Sequence, residues 1–362
     1  MNYRADIDGL RAIAVISVIV THAFKDFFPN GFLGVDVFFV ISGFVITASL
    51  VSQKDLPLSD FLTKFYTRRF TRLMPALLLV VATTTLAISL VNSFPNDYLK
   101  TGFFAIFGLA NVNLYLGEQD YFSDTSALNP FTHTWSLGVE EQFYLLIPVI
   151  LWVLLRKSGP ALALRILAVV SVISLIAWVI TSKVSPSAAF YLIPFRFWEL
   201  AVGVLVALLL HNRRQRESII LGILENRLIG AACAVLLAFF LFFPTELALL
   251  PATAVAIFCT AVILMRDISG TLPGNLLTSP FVNLVGRSSY SIYLWHWPII
   301  VLGLWTIGGG VLVNSGLVIA SMVIGYLSYR YVENPIRHGF PLTGASALGV
   351  WITCMVGVSV IR

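Results

Sequence analysis

The chain has 362 residues, of which 58% are hydrophobic and only 11% charged, with a mean hydropathy of +0.89 and a net charge of +5. A soluble domain carries roughly 25% charged residues, so this chain has too little polar surface for a water-facing globule, and its apolar runs are continuous rather than alternating, unlike the strands of a membrane β-barrel. The basic excess falls between apolar segments, as it does in positive-inside loops, and so does not indicate nucleic-acid binding.

Hydropathy therefore predicts an all-α polytopic bundle of about eleven spans, ten core spans and one extra C-terminal span, because crossing the hydrocarbon core takes ~20 apolar residues. The spans fall near residues 10–28, 33–51, 75–94, 138–155, 163–182, 193–211, 228–243, 248–265, 288–306, 311–331 and 343–361. The first reads as an uncleaved span, since Asp6 and Asp8 do not suit a signal peptide and no small-residue cleavage pattern follows. Segment 98–116 is apolar as well. Were it to cross, Arg156, Lys157, Arg213, Arg214 and Arg216 would face outward, and Asn111 and Asn113 make it a poor span. The positive-inside rule instead makes it a re-entrant or interfacial piece, with the N-terminus cytoplasmic and the C-terminus outside.

The first span carries Arg11 and His22, eleven residues apart and so close to three helical turns, which puts both on one face near Arg4 and Asp8. The span 10–28 places His22 about two-thirds of the way across. Arg11 reads either as a snorkelling anchor or as a functional cation. His22 reads either as a core histidine or as a general base. Asp36 opens the second span after a short hairpin. There it either approaches His22 and orients the imidazole, or compensates the helix N-terminus.

Arg68, Arg69 and Arg72 precede Pro75, which is expected to start the third span at a helix N-terminus. They read equally as positive-inside anchors or as a phosphate clamp. The stretch Thr132–Tyr144 is a polar, aromatic entry to a span in which His133 and Glu140 face the external mouth of a cavity. Arg196 and Glu199, three apart, predict an intramembrane ion pair. Trp295 and Trp297 read as interfacial belt residues and His296 as structural. Cys233, Cys259 and Cys354 sit in apolar runs as inert thiols, and no metal-ligand spacing, P-loop or dinucleotide fingerprint is present.

Taken in order, several of these segments resemble the acyltransferase-3 family of integral membrane acyltransferases. They are Asp8-Gly9-Leu10-Arg11-Ala12 with His22; Gly34-Val35-Asp36-Val37-Phe38-Phe39 with Ser42-Gly43-Phe44; and Arg69 and Arg72 before Pro75. Trp135-Ser136-Leu137 with Glu140-Glu141-Gln142-Phe143-Tyr144, and Ser289–Leu294 with His296-Trp297-Pro298, complete the set. The resemblance implies residues 1–340 as an acyltransferase-3 transmembrane domain. It implies 341–362 as an additional helix leading to an extracytoplasmic SGNH domain that the chain does not contain.

It also implies an activity: O-acetyl transfer from cytoplasmic acetyl-CoA to a bacterial cell-surface carbohydrate, first of all the O-antigen of lipopolysaccharide and otherwise peptidoglycan, in the bacterial inner membrane. On this reading Arg69 and Arg72, with Arg68, hold the phosphates of acetyl-CoA. Arg11 places its thioester arm, and His22, oriented by Asp36 or Glu140, deprotonates the acceptor. Two other classes are a small-molecule transporter and an acetyl relay that hands its cargo to an SGNH domain in cis or trans.

Overall fold

The computed structural model describes residues 3–117, 128–213, 227–244, 249–266 and 268–339. The expected span 343–361, with Cys354, and the loop charges Glu118, Asp120, Asp124, Arg214 and Arg216 lie outside the described residues. Seven helical segments there are long and apolar enough to cross a membrane: Gly31–Val51, Leu58–Val91, Thr132–Lys157, Gly159–Val184, Pro186–Asn212, Pro280–Ile307 and Val311–His338. Two apolar helices, α10 (Arg227–Phe242) and α11 (Leu249–Met265), have 16 and 17 residues and fall short of that length. The protein is an all-α polytopic bundle.

The chain divides into two compact units, Met1–Phe61 with Phe143–Ser289, and Leu62–Gln142 with Tyr290–Arg362. The first begins with α1 (Ala5–Ala23), whose opening turn carries Asp6 and Asp8, where carboxylates suit the helix dipole. The Arg4 side chain reaches the last carbonyls of α11, donating to Leu264 O at 2.6 Å and Arg266 O at 3.2 Å. A cation at a helix C-terminus satisfies groups that have no intrahelical partner.

α1 ends earlier than hydropathy predicts. Phe24 leaves the helical region (φ −141, ψ 52) and the chain turns there, with Phe28 N–H donating to Phe24 O at 3.0 Å. His22 is therefore in the last turn of α1, not two-thirds of the way through a span over 10–28. The link to α2 (Gly34–Val51) is tied back to α1. Thr21 Oγ1 donates to Phe28 O at 2.6 Å and Ser17 Oγ to Gly31 O at 3.2 Å. Gly34 rests on the Ala14 carbonyl and the Ser17 hydroxyl, leaving no room for a Cβ.

α2 packs along α9 (Ile193–Arg213), and the contact is glycine-mediated, as is common where membrane helices approach closely. Leu10, Val37, Val40, Phe44, Trp198, Val206 and Leu237 belong to one buried apolar cluster with the inner faces of α10 and α11. α7 (Gly159–Val184) and the short α8 (Pro186–Tyr191) lead into α9, where Ser174 Oγ donates to the Pro194 carbonyl at 2.6 Å.

In the second unit, α3 (Leu58–Val91) runs for 34 residues with Pro75 inside it. The expectation that Pro75 starts a helix is thus corrected. An interior proline removes an N–H and crowds the carbonyl four residues back, a cost that membrane helices offset through polar neighbours. The carbonyl left without its helical donor is that of Thr71; close by, Thr71 Oγ1 donates to Thr67 O and Tyr290 Oη to Leu73 O, each at 2.9 Å, and these bind neighbouring carbonyls rather than that one.

Segment 98–116 forms two short helices, α4 (Asn96–Ile106) and α5 (Ala110–Leu116), of 11 and 7 residues, neither long enough to cross. Gly108, at φ 67, makes the break between them. The asparagines that made it a poor span are satisfied by polar partners. Asn113 Nδ2 donates to Thr101 Oγ1 at 3.2 Å, and Gln142 Nε2 donates to Asn111 Oδ1 at 2.8 Å. The later helices are α6 (Trp135–Lys157), α12 (Leu272–Leu277), α13 (Pro280–Ile307) and α14 (Val311–Ser328). A π-helical turn, Tyr329–Glu333, joins α14 to α15 (Asn334–Gly339).

Candidate functional site

Arg11, His22 and Asp36 belong to the first unit, whereas Arg68, Arg69, Arg72 and Glu140 belong to the second. In α1, Arg11 Nη1 lies 3.7 Å from Asp8 Oδ1, with side chains 15% and 13% exposed, so Arg11 is paired and mostly enclosed rather than snorkelling. Tyr3 Oη donates to the other Asp8 oxygen at 2.7 Å. His22, half-buried, occupies the last turn of α1.

Asp36 begins α2 two residues beyond the glycine that rests on Ala14 and Ser17. It is therefore near the end of the α1–α2 hairpin at which His22 sits. Its carboxylate is fully engaged. Arg196 Nη2 lies 3.3 Å from Oδ1, and Thr253 Oγ1 donates to Oδ2 at 3.3 Å. The same guanidinium holds Glu199, with Arg196 Nη1 2.5 Å from Oε1. The expected Arg196–Glu199 pair is present. Its third member, Asp36, comes from a different helix, and sequence spacing gives no sign of it. The aromatic rings of Phe39 and Phe190 lie under the guanidinium at 5.9 and 5.2 Å, contributing cation–π attraction.

In the second unit the basic ladder stands on the first half of α3. Arg68 is exposed, and its Nε donates to Lys64 O at 3.0 Å. Arg69 stacks over Phe65 at 5.6 Å. Arg72 is half-buried, and its Nε is enclosed without a hydrogen-bond partner among the described residues. A buried donor lacking an acceptor is costly, and a phosphate oxygen would satisfy it. Arg72 therefore fits an anionic ligand.

The polar entry Thr132–Thr134 to α6 differs from its expected placement. His133 is 1% exposed, so it does not open on an external mouth; its ring lies 5.6 Å from those of Tyr293 and His296. Tyr293 Oη donates to His133 O at 2.9 Å and sits 2.8 Å from Ser136 Oγ. His296 Nδ1 bonds to the Tyr293 carbonyl, consistent with a structural histidine. Trp297 is buried rather than interfacial, its indole donating to Asn129 O at 2.7 Å. Glu140, one turn into α6, is half-buried. Glu333, in the π-helical turn, is fully enclosed and accepts from Ser291 Oγ at 2.7 Å. Cys233 and Cys259 are buried free thiols.

Comparison with known proteins gives a consistent match. A family model described as an acyltransferase domain covers residues 4–355. The chain is 32% identical over 356 residues to YrhL of Bacillus subtilis (strain 168), named as a candidate peptidoglycan O-acetyltransferase, covering 93% of this chain and 55% of that protein. It is 32% identical over 351 residues to the O-acetyltransferase OatA of Staphylococcus aureus (strain NCTC 8325 / PS 47), covering 93% of this chain and 57% of that one. It is 33% identical over 339 residues to BcsY of Komagataeibacter xylinus, named as a candidate membrane-bound transacylase, covering 92% of this chain and 82% of BcsY. The chain thus spans little more than half the length of the first two. No solved structure matches.

Proposed function

Because this chain belongs to the acyltransferase-3 family of membrane acyltransferases, we propose that it moves an acetyl group from cytoplasmic acetyl-CoA to a hydroxyl of an extracytoplasmic bacterial cell-surface carbohydrate. The observation that carries this reading is the α1–α2 hairpin. It places an imidazole in the last turn of an otherwise apolar stretch, near the end at which a buried, anchored carboxylate begins the next helix. Ionisable groups so placed in a membrane protein are expensive and are kept for chemistry.

In this reading His22 is the general base that takes the acceptor hydroxyl proton, oriented by Asp36 or Glu140. Arg11 positions the thioester arm, and Arg69 and Arg72, with Arg68, bind the phosphates of the donor. The protein sits in the bacterial inner membrane with its N-terminus cytoplasmic and its C-terminus outside. The acceptor is O-antigen or peptidoglycan; the name of YrhL supports peptidoglycan, and that of OatA supports O-acetyl transfer.

A second reading is an acetyl relay, in which the membrane domain delivers acetyl to an SGNH transferase domain in cis or trans. It draws support from the longer relatives, which carry further chain beyond the part matched here. NMR of acetyl esters on surface glycans from cells with wild-type protein, His22→Ala protein or none tests the main reading. Full acetylation by a stably inserted His22→Ala protein would sink it. Reconstitution of this chain alone with acetyl-CoA and purified glycan separates transfer from relay.

A further inference from the structure

Two carboxyl groups and one guanidinium are sealed inside the first unit. The side chains of Asp36, Arg196 and Glu199 are 3%, 6% and 0% exposed. One guanidinium neutralises one carboxylate. A second bare carboxylate at this depth would carry uncompensated charge where water cannot solvate it, which burial penalises heavily.

The hydrogen bonds show where the excess lies. Both Asp36 oxygens face donors, Arg196 Nη2 at one and the Thr253 hydroxyl at the other. On Glu199, Oε1 faces Arg196, but Oε2 is buried with no hydrogen-bond partner among the described residues. Arg196 bridges the two carboxyl groups, Nη2 to Asp36 and Nη1 to Glu199, and so holds them at one guanidinium. A single proton on Glu199 Oε2 removes the excess charge and turns the orphaned oxygen into a donor toward Asp36.

We propose that Asp36 and Glu199 hold one dissociable proton between them, resting on Glu199 Oε2 with Arg196 as fixed counter-ion, and that this site exchanges protons with His22 during acyl transfer. The second half rests on the function proposed above. In that reaction the acceptor O–H bond breaks as the new ester O–C bond forms and the thioester C–S bond breaks. The hydroxyl proton passes to His22. His22 hands it to the carboxyl pair as the pair releases the one it held, so the site's proton count is restored. The proton that the pair releases ends on the leaving thiolate, so the overall reaction neither consumes nor produces any. Arg196 and Glu199 are positioning residues in this scheme, acting through Asp36.

The test is infrared spectroscopy on the intact protein in lipid nanodiscs, in H2O and D2O, at neutral pH. A protonated-carboxyl stretching band that shifts in D2O is expected in the wild type. It should lose intensity in both Glu199→Gln and Asp36→Asn, because each leaves a single carboxylate for Arg196, while other enclosed carboxyls such as Glu333 keep their share of the band. A band of unchanged intensity in both variants overturns the proton site whatever the activity. Glycan acetylation tests its use. Glutamine keeps the shape and hydrogen bonds of the neutral acid but carries no exchangeable acid proton, so Glu199→Gln should lower transfer about tenfold or more while remaining folded. A weakened band with full transfer overturns the exchange with His22. Full activity of His22→Ala would instead remove the catalytic reading and leave the infrared result standing.

Discussion

Gly43 of α2 and Gly203 of α9 hold the two helices backbone to backbone. Gly43 abuts the carbonyl of Leu200, and Gly203 abuts the carbonyl of Val40. This close approach lets Asp36 and Arg196, further along the same pair of helices, meet at 3.3 Å. A side chain at either glycine would collide with backbone, which cannot rotate away. Gly43→Val is therefore expected to lower stability by about 1–3 kcal/mol, the usual cost of overpacking. Thermal unfolding followed by size-exclusion fluorescence would show it as a lower midpoint.

Removing the shared cation should be worse than removing the whole cluster's charge. Arg196→Leu leaves buried carboxylates uncompensated and is expected to cost about 3–5 kcal/mol. Adding Asp36→Asn and Glu199→Gln to it should recover part of that loss. Equal stability of the single and triple variants would refute the coupling.

His22→Ala should separate activity from folding. The side chain is half-buried at the end of a helix, so the fold is expected to persist. Transfer should fall by about 10²–10⁴-fold, the range typical of a lost general base. A kcat measurement on reconstituted protein, with the folded fraction quantified alongside, decides the point.

Arg72→Ala is expected to raise KM for acetyl-CoA about tenfold or more, with kcat little changed, since a hydrogen bond to a charged group is worth ~1.5–3 kcal/mol. Arg72→Lys should rescue only part, because an ammonium cannot reproduce the planar fork. An unchanged KM in both variants would remove Arg72 from donor binding.

Tyr290→Phe deletes the hydroxyl that donates to the Leu73 carbonyl beside the Pro75 turn. A loss of about 1 kcal/mol is expected, from an otherwise isosteric change. The same substitution in a Pro75→Ala background should cost less if the tyrosine acts by offsetting the proline.

Hydropathy made the all-helical membrane class legible, because long apolar runs have no other economical solution than helices that satisfy their own backbone. It also marked 98–116 as a non-crossing piece, since Asn111 and Asn113 require polar partners that lipid does not supply. The end of α1 was misplaced because apolar content does not register a cap. Phe24 is apolar and still leaves the helix. Pro75 was misread because proline suits a helix start, while a long membrane helix held by its packing also tolerates it inside. Within the candidate site, the Arg196–Glu199 pair followed from spacing along one helix. Its link to Asp36 depends on the packing of α2 against α9, across some 160 residues of chain, and local sequence carries no sign of it.

The length of α3 has a consequence for ligand capture. Its 34 residues extend about 50 Å, and a hydrocarbon core ~30 Å thick holds only part of that. The half bearing Lys64, Arg68, Arg69 and Arg72 is thus a stiff prolongation of a membrane-anchored helix, not a tether. Ordering a loop around a diphosphate would cost about 1–2 kcal/mol per residue at the moment of binding. Here that entropy is spent when the helix folds, so an anion bound there, as proposed, would meet a backbone already ordered.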